Sequence, residues 1–492
     1  MPTVHRVLPP QPIESLEEYV TRRGGRGIDA AMHEDAEAII AEVDASGLRG
    51  RGGAGFPTGR KWRTVRENHS DVLPTTVVVN GAEGEPGTFK DRTIMRLDPY
   101  AVVEGGLIAA RAVGADTVIF GLKRTFVPEV SRMRAAIAEI QREGWAEGID
   151  LSVFEGPDEY LYGEETALLE TIDGRYPFPR IAPPYRRGIV EVVEHADDVG
   201  SGSGLSAHVE MAVPGGETGA PPTLVDNVET MANVPRIVSR GAAWFRTEGT
   251  EESPGTIVCT ITGSTRRAGV GEILMGTPLR EVIDLIGGGP RRGHTIKAVL
   301  PGVSNALIPE SLLDTPASYE ALAAIGSGLG AGGFIVFDDG DDLTAAAAGV
   351  SHFLAVESCG QCTPCKRDGL ALAGLLDRLS RSEATDRNLK EIDDLLSTVG
   401  DGARCYLALQ HQAVVQSIVT VFGDELNAHA SGKARPVEPT LVAELLGIEG
   451  DEAVVDARHR DKQPDWTYND EDSGTWPAER LDEHRAPGTL ED

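Results

Sequence analysis

The 492-residue chain is poor in cysteine, in basic residues and in unbroken apolar sequence, and each shortage excludes something. Five cysteines in a chain of this length do not make a disulfide framework; they read as ligands kept reduced. Forty-six Lys and Arg against 77 Asp and Glu leave a formal net charge of −31, which repels phosphate backbones and anionic lipid and excludes non-specific nucleic-acid binding. The most apolar uncharged run, Cys405 to Gly423, is interrupted by Gln410, His411, Gln412 and Gln416, and no other segment offers the roughly 18 clean apolar residues of a membrane span. The opening MPTVHRVLPPQPIESLEE has neither a basic nor an apolar region of an export signal, which predicts a cytoplasmic protein. Glycine, by contrast, is abundant: 58 glycines, with 30 prolines, imply many tight turns and close backbone approaches.

Length predicts about three domains, and the texture divides accordingly. Residues 1–245 read as an N-terminal segment plus an α/β domain. An amphipathic helix over Asp35 to Leu48 leads into a glycine-rich loop. The β-branched runs Val77 to Val79 and Thr117 to Phe120 then alternate with helical spacing over Tyr100 to Val113 and Glu129 to Arg142. Residues 254–338 suggest a small α+β module, with strands over Thr256 to Thr262 and Gly333 to Phe337 and a helix over Leu279 to Leu285. Residues 339–435 predict a helical bundle from apolar spacing over Leu343 to Val356, Leu370 to Leu379, Asn388 to Ser397 and Val414 to Phe422. A last short helix is expected over Val442 to Leu446. The rest of 436–492 reads as an acidic, largely disordered tail, with 15 acids and 5 bases after residue 440.

Four cysteines fall in the helical region. Cys359, Cys362 and Cys365 in SCGQCTPC are spaced Cys-x2-Cys-x2-Cys, and Cys405 follows 40 residues later. Such a triplet with one remote thiolate suits three corners and the fourth of a single [4Fe–4S] cubane. Zinc, which more commonly takes two separated Cys-x2-Cys knuckles, and buried unligated thiols are the alternatives. Pro364 is expected to keep the turn from continuing as a helix. Cys259, in the strand-like TIVCTIT, reads as a small buried apolar residue, so no second four-thiolate cluster fits.

The loop Gly50-Arg51-Gly52-Gly53-Ala54-Gly55 satisfies G-x-G-x-x-G but follows a helix instead of a strand, so it does not specify a standard dinucleotide fold. Its bare backbone can still approach a phosphate or a planar ring, and Arg49, Arg51, Arg60 and Lys61 supply positive charge, which favours nucleotide or flavin binding over a plain structural turn. Asn80-Gly81-Ala82-Glu83-Gly84-Glu85-Pro86-Gly87 follows a strand directly, where a parallel sheet opens toward ligand. Tyr160 to Thr166 starts a helix with the paired carboxylates Glu164 and Glu165. Carboxylates in a nucleotide pocket accept from ribose hydroxyls and disfavour a 2′-phosphate, selecting NADH over NADPH; the alternative is that they are acids drawn to a helix start.

With the glycine loop, NGAEGEPGTFKDR, YGEETALLE, PTLVDNVET and ESCGQCTPC in this order, the chain resembles, from about Ser46 to Glu425, the flavin-bearing NADH-oxidising F subunit of respiratory complex I, a module shared with NAD-linked formate dehydrogenases and hydrogenases. The resemblance implies an FMN- and NADH-binding domain, a ubiquitin-like SLBB module and a helical domain with one [4Fe–4S] cluster on Cys359, Cys362, Cys365 and Cys405. By correspondence, Gly50, Arg51, Gly52, Lys61, Asn80, Tyr160, Gly163, Glu164, Asn227 and Thr230 meet FMN, with Gly53, Gly55 and Glu83 in the same cofactor-binding segments. Phe56 and Tyr185 stack on the adenine, Glu85 and Glu165 contact the dinucleotide, and Lys61 and Glu85 are the catalytic candidates. The chain departs from the family pattern at Ala82, Gly84, Tyr162 and Asp226, and lacks an aromatic near Thr64. The implied activity is NADH oxidation by hydride transfer to FMN, with single electrons passing through the cluster to a thioredoxin-like [2Fe–2S] subunit and further iron–sulfur partners, peripheral to a membrane complex. The rival readings are a diaphorase working toward NAD reduction and a flavin-free electron-transfer scaffold.

Overall fold

The computed structural model describes residues 3–70, 73–180 and 222–462. Four parallel strands form the first sheet: β1 (Thr76–Asn80), β2 (Thr117–Lys123), β3 (Asp150–Gly156) and β4 (Thr223–Asn227), in the order β3-β2-β1-β4. The run Thr-Val-Val-Val suits a strand covered on both faces: Val77 and Val79 join one apolar cluster and Val78 the opposite one. β1 is flanked by β2 and β4, so the order reverses there, and Asn80 pairs in register with Asn227 at the carboxyl ends of the two strands. In open α/β sheets such a switch point is where ligands bind.

The helices Pro99–Val113 and Val228–Arg240 pack across this sheet so closely that a Cβ at Gly105 would lie 2.0 Å from the Met231 carbonyl oxygen. Buried Glu104 ties the N-terminal segment to them, accepting from Tyr19 Oη at 2.6 Å and from the amides of Gly25 and Ile28 at 2.9 Å each.

The second sheet is mixed and five-stranded, in the order β6-β5-β9-β7-β8: β5 (Thr256–Gly263), β6 (Gly269–Leu274), β7 (Ile296–Pro301), β8 (Ile308–Pro309) and β9 (Gly333–Asp338). Helical turns over Leu279–Val282 and Tyr319–Ala324 bury Leu279, Val282 and Leu322 in its core. Beyond it come helices Leu343–Glu357, Thr363–Ser380, Asp386–Thr398, Leu407–Val421 and Gly423–Ala430, which enclose a common apolar core. Pro364 does not stop a helix, contrary to expectation. It opens the helix Thr363–Ser380, whose N-cap is Cys362, because a proline in the first turn sacrifices an N–H that has no intrahelical partner. Cys365 therefore sits on a helix.

The predicted helix over Val442 to Leu446 is also absent. A hairpin of β10 (Leu445–Glu449) and β11 (Glu452–Val455) forms there, and residues 437–462 run across the molecule in ordered contact. Local apolar spacing could not report this, since the segment is held by distant partners: the Thr440 amide donates to Ala345 O at 3.0 Å, and the Val437 amide to Ser380 O at 2.9 Å. Gly349 makes the crossing possible, since a Cβ there would lie 1.9 Å from the Thr440 carbonyl oxygen. Gly349→Ala is expected to destabilise the protein by about 2 kcal/mol, the scale of overpacking against a partner that cannot yield; chemical denaturation checks this. No described helix is long and apolar enough to cross a membrane.

Candidate active site

A cavity of about 1010 Å³ opens at the carboxyl ends of β1 and β4. The glycine loop, the segment after β1, the turn Tyr160–Gly163 and the start of the helix Glu165–Ile172 all reach it. Of the residues expected in the site, Gly50, Gly52, Gly53, Gly55, Phe56, Lys61, Asn80, Glu83, Glu85, Tyr160, Gly163, Glu164, Glu165, Asn227 and Thr230 line it. Tyr185 lies outside the described residues. Arg51 is a correction: its side chain does not line the cavity and is 1 % exposed. Its guanidinium turns away to donate to Thr256 O at 2.9 Å and to the Arg49 carbonyl at 3.0 Å, while its amide donates to Thr230 Oγ1 at 2.8 Å. Carbonyls at the start of the second sheet offer this cation a set of acceptors that an open cavity does not. Arg60 is exposed and does not line the cavity either.

Bare backbone does face the space. Cβ atoms added at Gly50 and Gly53 would come no nearer to any atom than 3.6 and 3.9 Å, so their peptide groups are open to a ring or phosphate. Across the cavity a Cβ at Gly163 would lie 2.8 Å from Ala82 O, and Asn80 Nδ2 donates to Gly163 O at 2.8 Å, drawing the two walls together. These features fit a flat prosthetic group.

The carboxylates divide by task. Glu83 caps the helix Lys90–Leu97, accepting from the amides of Lys90, Asp91 and Arg92 at 2.9, 3.2 and 3.2 Å, and burial raises its pKa. Glu164 caps the next helix through the Ala167 amide at 2.8 Å and accepts from Thr166 Oγ1 at 2.6 Å; burial raises it too. Glu85 is locked between Tyr160 Oη at 2.5 Å and the Val303 amide at 2.7 Å, again raised by burial. Lys61 Nζ pairs with Glu165 at 2.6 Å, lies 3.9 Å from Asp226 and donates to Val225 O at 2.5 Å. Burial opposes its charge, but the two carboxylates more than offset this and the net shift is upward. Asp226 accepts from Trp62 Nε1 at 2.8 Å, and burial pushes it up to about 6.

Two features had no sequence signal. Beneath Asn227 a buried ammonium, Lys90 Nζ, joins Glu229 at 2.7 Å, Asp91 at 3.0 Å and Asn227 Oδ1 at 3.3 Å. One wall of the cavity comes from the second sheet's connections, including Ser304, Asn305 and Tyr319, whose hydroxyl donates to Gly50 O at 2.9 Å. Only the tertiary fold brings these residues to the glycine loop.

Cys359, Cys362, Cys365 and Cys405 line a second, smaller cavity, which shares Leu161, Cys405 and Leu407 with the first. Among the described residues the only trio of His, Cys, Asp or Glu ligand atoms lying within 4.8 Å of one another is His294, Asp338 and Asp339, so no three of the four sulfurs stand that close together. A single zinc with Zn–S near 2.3 Å requires sulfurs about 3.8 Å apart. Four thiols lining one small cavity suit a polynuclear iron–sulfur group. Burial pushes Cys365 up to about 11 and raises Cys359 and Cys405, so these thiols become thiolates only against a strong local positive charge. Cys259 is fully buried in β5 and reaches neither cavity.

Residues 43–236 match the profile of the Nuo51 FMN-binding domain and residues 345–429 that of the NADH-ubiquinone oxidoreductase-F iron-sulfur binding region. The F 2 subunit of NADH-quinone oxidoreductase from Rhizobium meliloti (strain 1021) is 36 % identical over 433 residues, 86 % of this chain and 96 % of that one. The chain belongs to the family of NADH-quinone oxidoreductase F subunits. The corresponding F subunit of Streptomyces coelicolor is 33 % identical over 434 residues, 86 % of this chain and 90 % of its own length. Among solved structures, an NAD+-reducing [NiFe]-hydrogenase in the H2-reduced state superposes with a TM-score of 0.70 at 30 % identity, covering 85 % of this chain and 67 % of that chain. The FMN-binding match contains all four strands β1 to β4, and the iron–sulfur match contains all four cysteines of the smaller cavity.

Proposed function

We propose that the chain is the NADH-oxidising subunit of a multi-subunit oxidoreductase. NADH and FMN share the cavity at the β1–β4 switch point, and electrons leave through one [4Fe–4S] cluster. The observation that carries this reading is the common wall: Leu161, Cys405 and Leu407 border both the cofactor cavity and the cysteine cavity. FMN, when bound, supplies the conversion of a two-electron hydride into single electrons that a cluster can accept. The residues of the chain bind and orient. Gly50 and Gly53 would offer backbone to the flavin, Asn80 and Asn227 would hold it at the sheet edge, and Tyr160, held by Glu85, lines the cofactor cavity next to Leu161 of the common wall. Lys61 keeps an ammonium at the cavity wall, partly compensated by Glu165, where it favours negative charge gained on reduction. Phe56, 46 % exposed at the rim, would cover an adenine.

The middle sheet, with parallel β5 and β9 at its centre, reads as the ubiquitin-like SLBB module, and residues 339–435 as the cluster-bearing helical domain. A thioredoxin-like [2Fe–2S] subunit and further iron–sulfur subunits would receive the electrons, at the cytoplasmic face of a membrane complex. The likeness to the NAD+-reducing hydrogenase supports a second reading, the same module working toward NAD reduction. The decisive experiment is reconstitution with FMN, iron and sulfide followed by anaerobic NADH. Loss of the flavin's visible absorbance and then a low-temperature EPR signal support the reading; a flavin that stays oxidised overturns it. The subunits that co-purify, and the cluster potential, separate the two directions.

Glu165→Ala is expected to relax the preference for NADH, since it removes a carboxylate that repels a 2′-phosphate and frees the Lys61 ammonium beside it. The ratio of kcat/KM for NADH to that for NADPH should fall about tenfold, the equivalent of about 1.4 kcal/mol. An unchanged ratio removes Glu165 from nucleotide selection.

A further inference from the structure

Residues 437–462 lie beyond the matched iron–sulfur region, which ends at 429, yet they bind two parts of the molecule. On the first domain, Glu444 pairs with buried Lys123 at 2.5 Å, and Arg92 donates to the carbonyls of Leu445 and Leu446 at 2.7 and 3.1 Å. After the hairpin the chain returns to the cluster side, where Lys462 Nζ meets Glu357 Oε1 at 2.6 Å and His459 Nε2 meets the same oxygen at 3.2 Å. The His459 ring stacks on Phe353 with centroids 4.9 Å apart, fixing the approach.

Glu357 is 4 % exposed. It ends the helix Leu343–Glu357, two residues before Cys359, and its other oxygen accepts from the Tyr160 amide at 3.2 Å. A carboxylate at a buried helix C-terminus is disfavoured twice, by lost hydration and by the helix dipole, and requires a cation in contact. The other buried ammonium nearby, Lys366, is turned to carbonyls, donating to Ala355, Val356 and Ser358 at 3.0, 3.1 and 2.8 Å. Lys462, at the end of the C-terminal segment, is the ammonium in direct contact with Glu357.

We infer that Lys462 is a positioning residue that neutralises Glu357 and so sets the reduction potential of the cluster held by Cys359, Cys362, Cys365 and Cys405. The inference rests on the functional reading above. Reducing the cluster adds negative charge, and an uncompensated carboxylate two residues from a ligand, in a dry environment, opposes it, because cluster potentials follow local net charge.

The test is an EPR-monitored redox titration of the reconstituted full-length protein in four forms: wild type, Lys462→Met, Glu357→Gln and the double variant. Lys462→Met is expected to shift the cluster potential negative and Glu357→Gln to shift it positive; the double variant should return toward wild type, and Lys462→Arg should hold the wild-type value. A purely structural strap would lower thermal stability without opposite-signed shifts. Potentials that stay put, or move the same way in both single variants, overturn the inference. If Lys462→Met fails to fold or to keep its cluster, Glu357→Gln, which retains an acceptor for the Tyr160 amide, decides by itself: a positive shift supports the inference and any other result overturns it. A wild-type protein with no cluster signal at all instead overturns the functional reading, and this inference with it.

Discussion

Cys405→Ala is expected to abolish the intact [4Fe–4S] signal while NADH still bleaches bound FMN. The other three sulfurs come from one short stretch, Cys359 to Cys365, and can hold three corners of a cubane without help. Cys405 is brought in separately, from the turn before the helix Leu407–Val421, and it borders both cavities. Its loss would leave a cubane one protein ligand short. The proposed flavin cradle rests on Gly50, Gly53, Asn80 and Gly163, distant from this thiol in sequence, and Cys405 is one residue of the shared wall. Iron content and low-temperature EPR should therefore fall away from wild type while anaerobic flavin reduction persists. An unaltered EPR spectrum would remove Cys405 from the ligand set; simultaneous loss of flavin binding would show that the shared wall is structural for both sites.

Asp226→Asn should stabilise the protein by about 3 kcal/mol at neutral pH and by nothing near pH 4, two pKa units corresponding to about that energy. Asp226 is 6 % exposed, and burial raises its pKa from 3.8 to about 6 despite Lys61, which pulls it down. A carboxyl with a folded pKa above its unfolded value costs stability once ionised. The cost is absent below the unfolded pKa, grows between about pH 4 and 6, and is complete above that window. An asparagine still offers an oxygen to Trp62 Nε1 and carries no charge to desolvate. Denaturant titrations of both proteins at neutral and at acid pH check the result. A gain that is the same at both values would mean that ionisation of Asp226 is not its source.

Much of the site is legible in the sequence because its chemistry lies in contiguous motifs. The Cys-x2-Cys-x2-Cys triplet, the bare glycine loop and the acidic turn after a β-branched run each announce a local geometry, and the sheet brings the last two to one cavity. Arg51 misleads because sequence records a charge without its direction: a guanidinium beside a glycine loop looks like a phosphate ligand until the carbonyls of Pro254 and Thr256 are found around it. Pro364 misleads for a related reason, since proline ends a helix or begins one according to where the turn starts. The hairpin of β10 and β11 is held by Arg92, and the wall beside Ser304 by the Val303 amide on Glu85, partners 353 and 218 residues apart in sequence and beyond the reach of any local periodicity.

The pairing of Asn80 with Asn227 makes the order of assembly consequential. β4 is the last of the four strands to be synthesised, yet it docks against β1, the first, so half of the sheet edge at the cavity is missing until a long stretch of later sequence has emerged. Nascent chains arrested before β4 should be unable to retain the prosthetic group however well β1 to β3 have formed. Flavin capture would thus report completion of the sheet during biosynthesis.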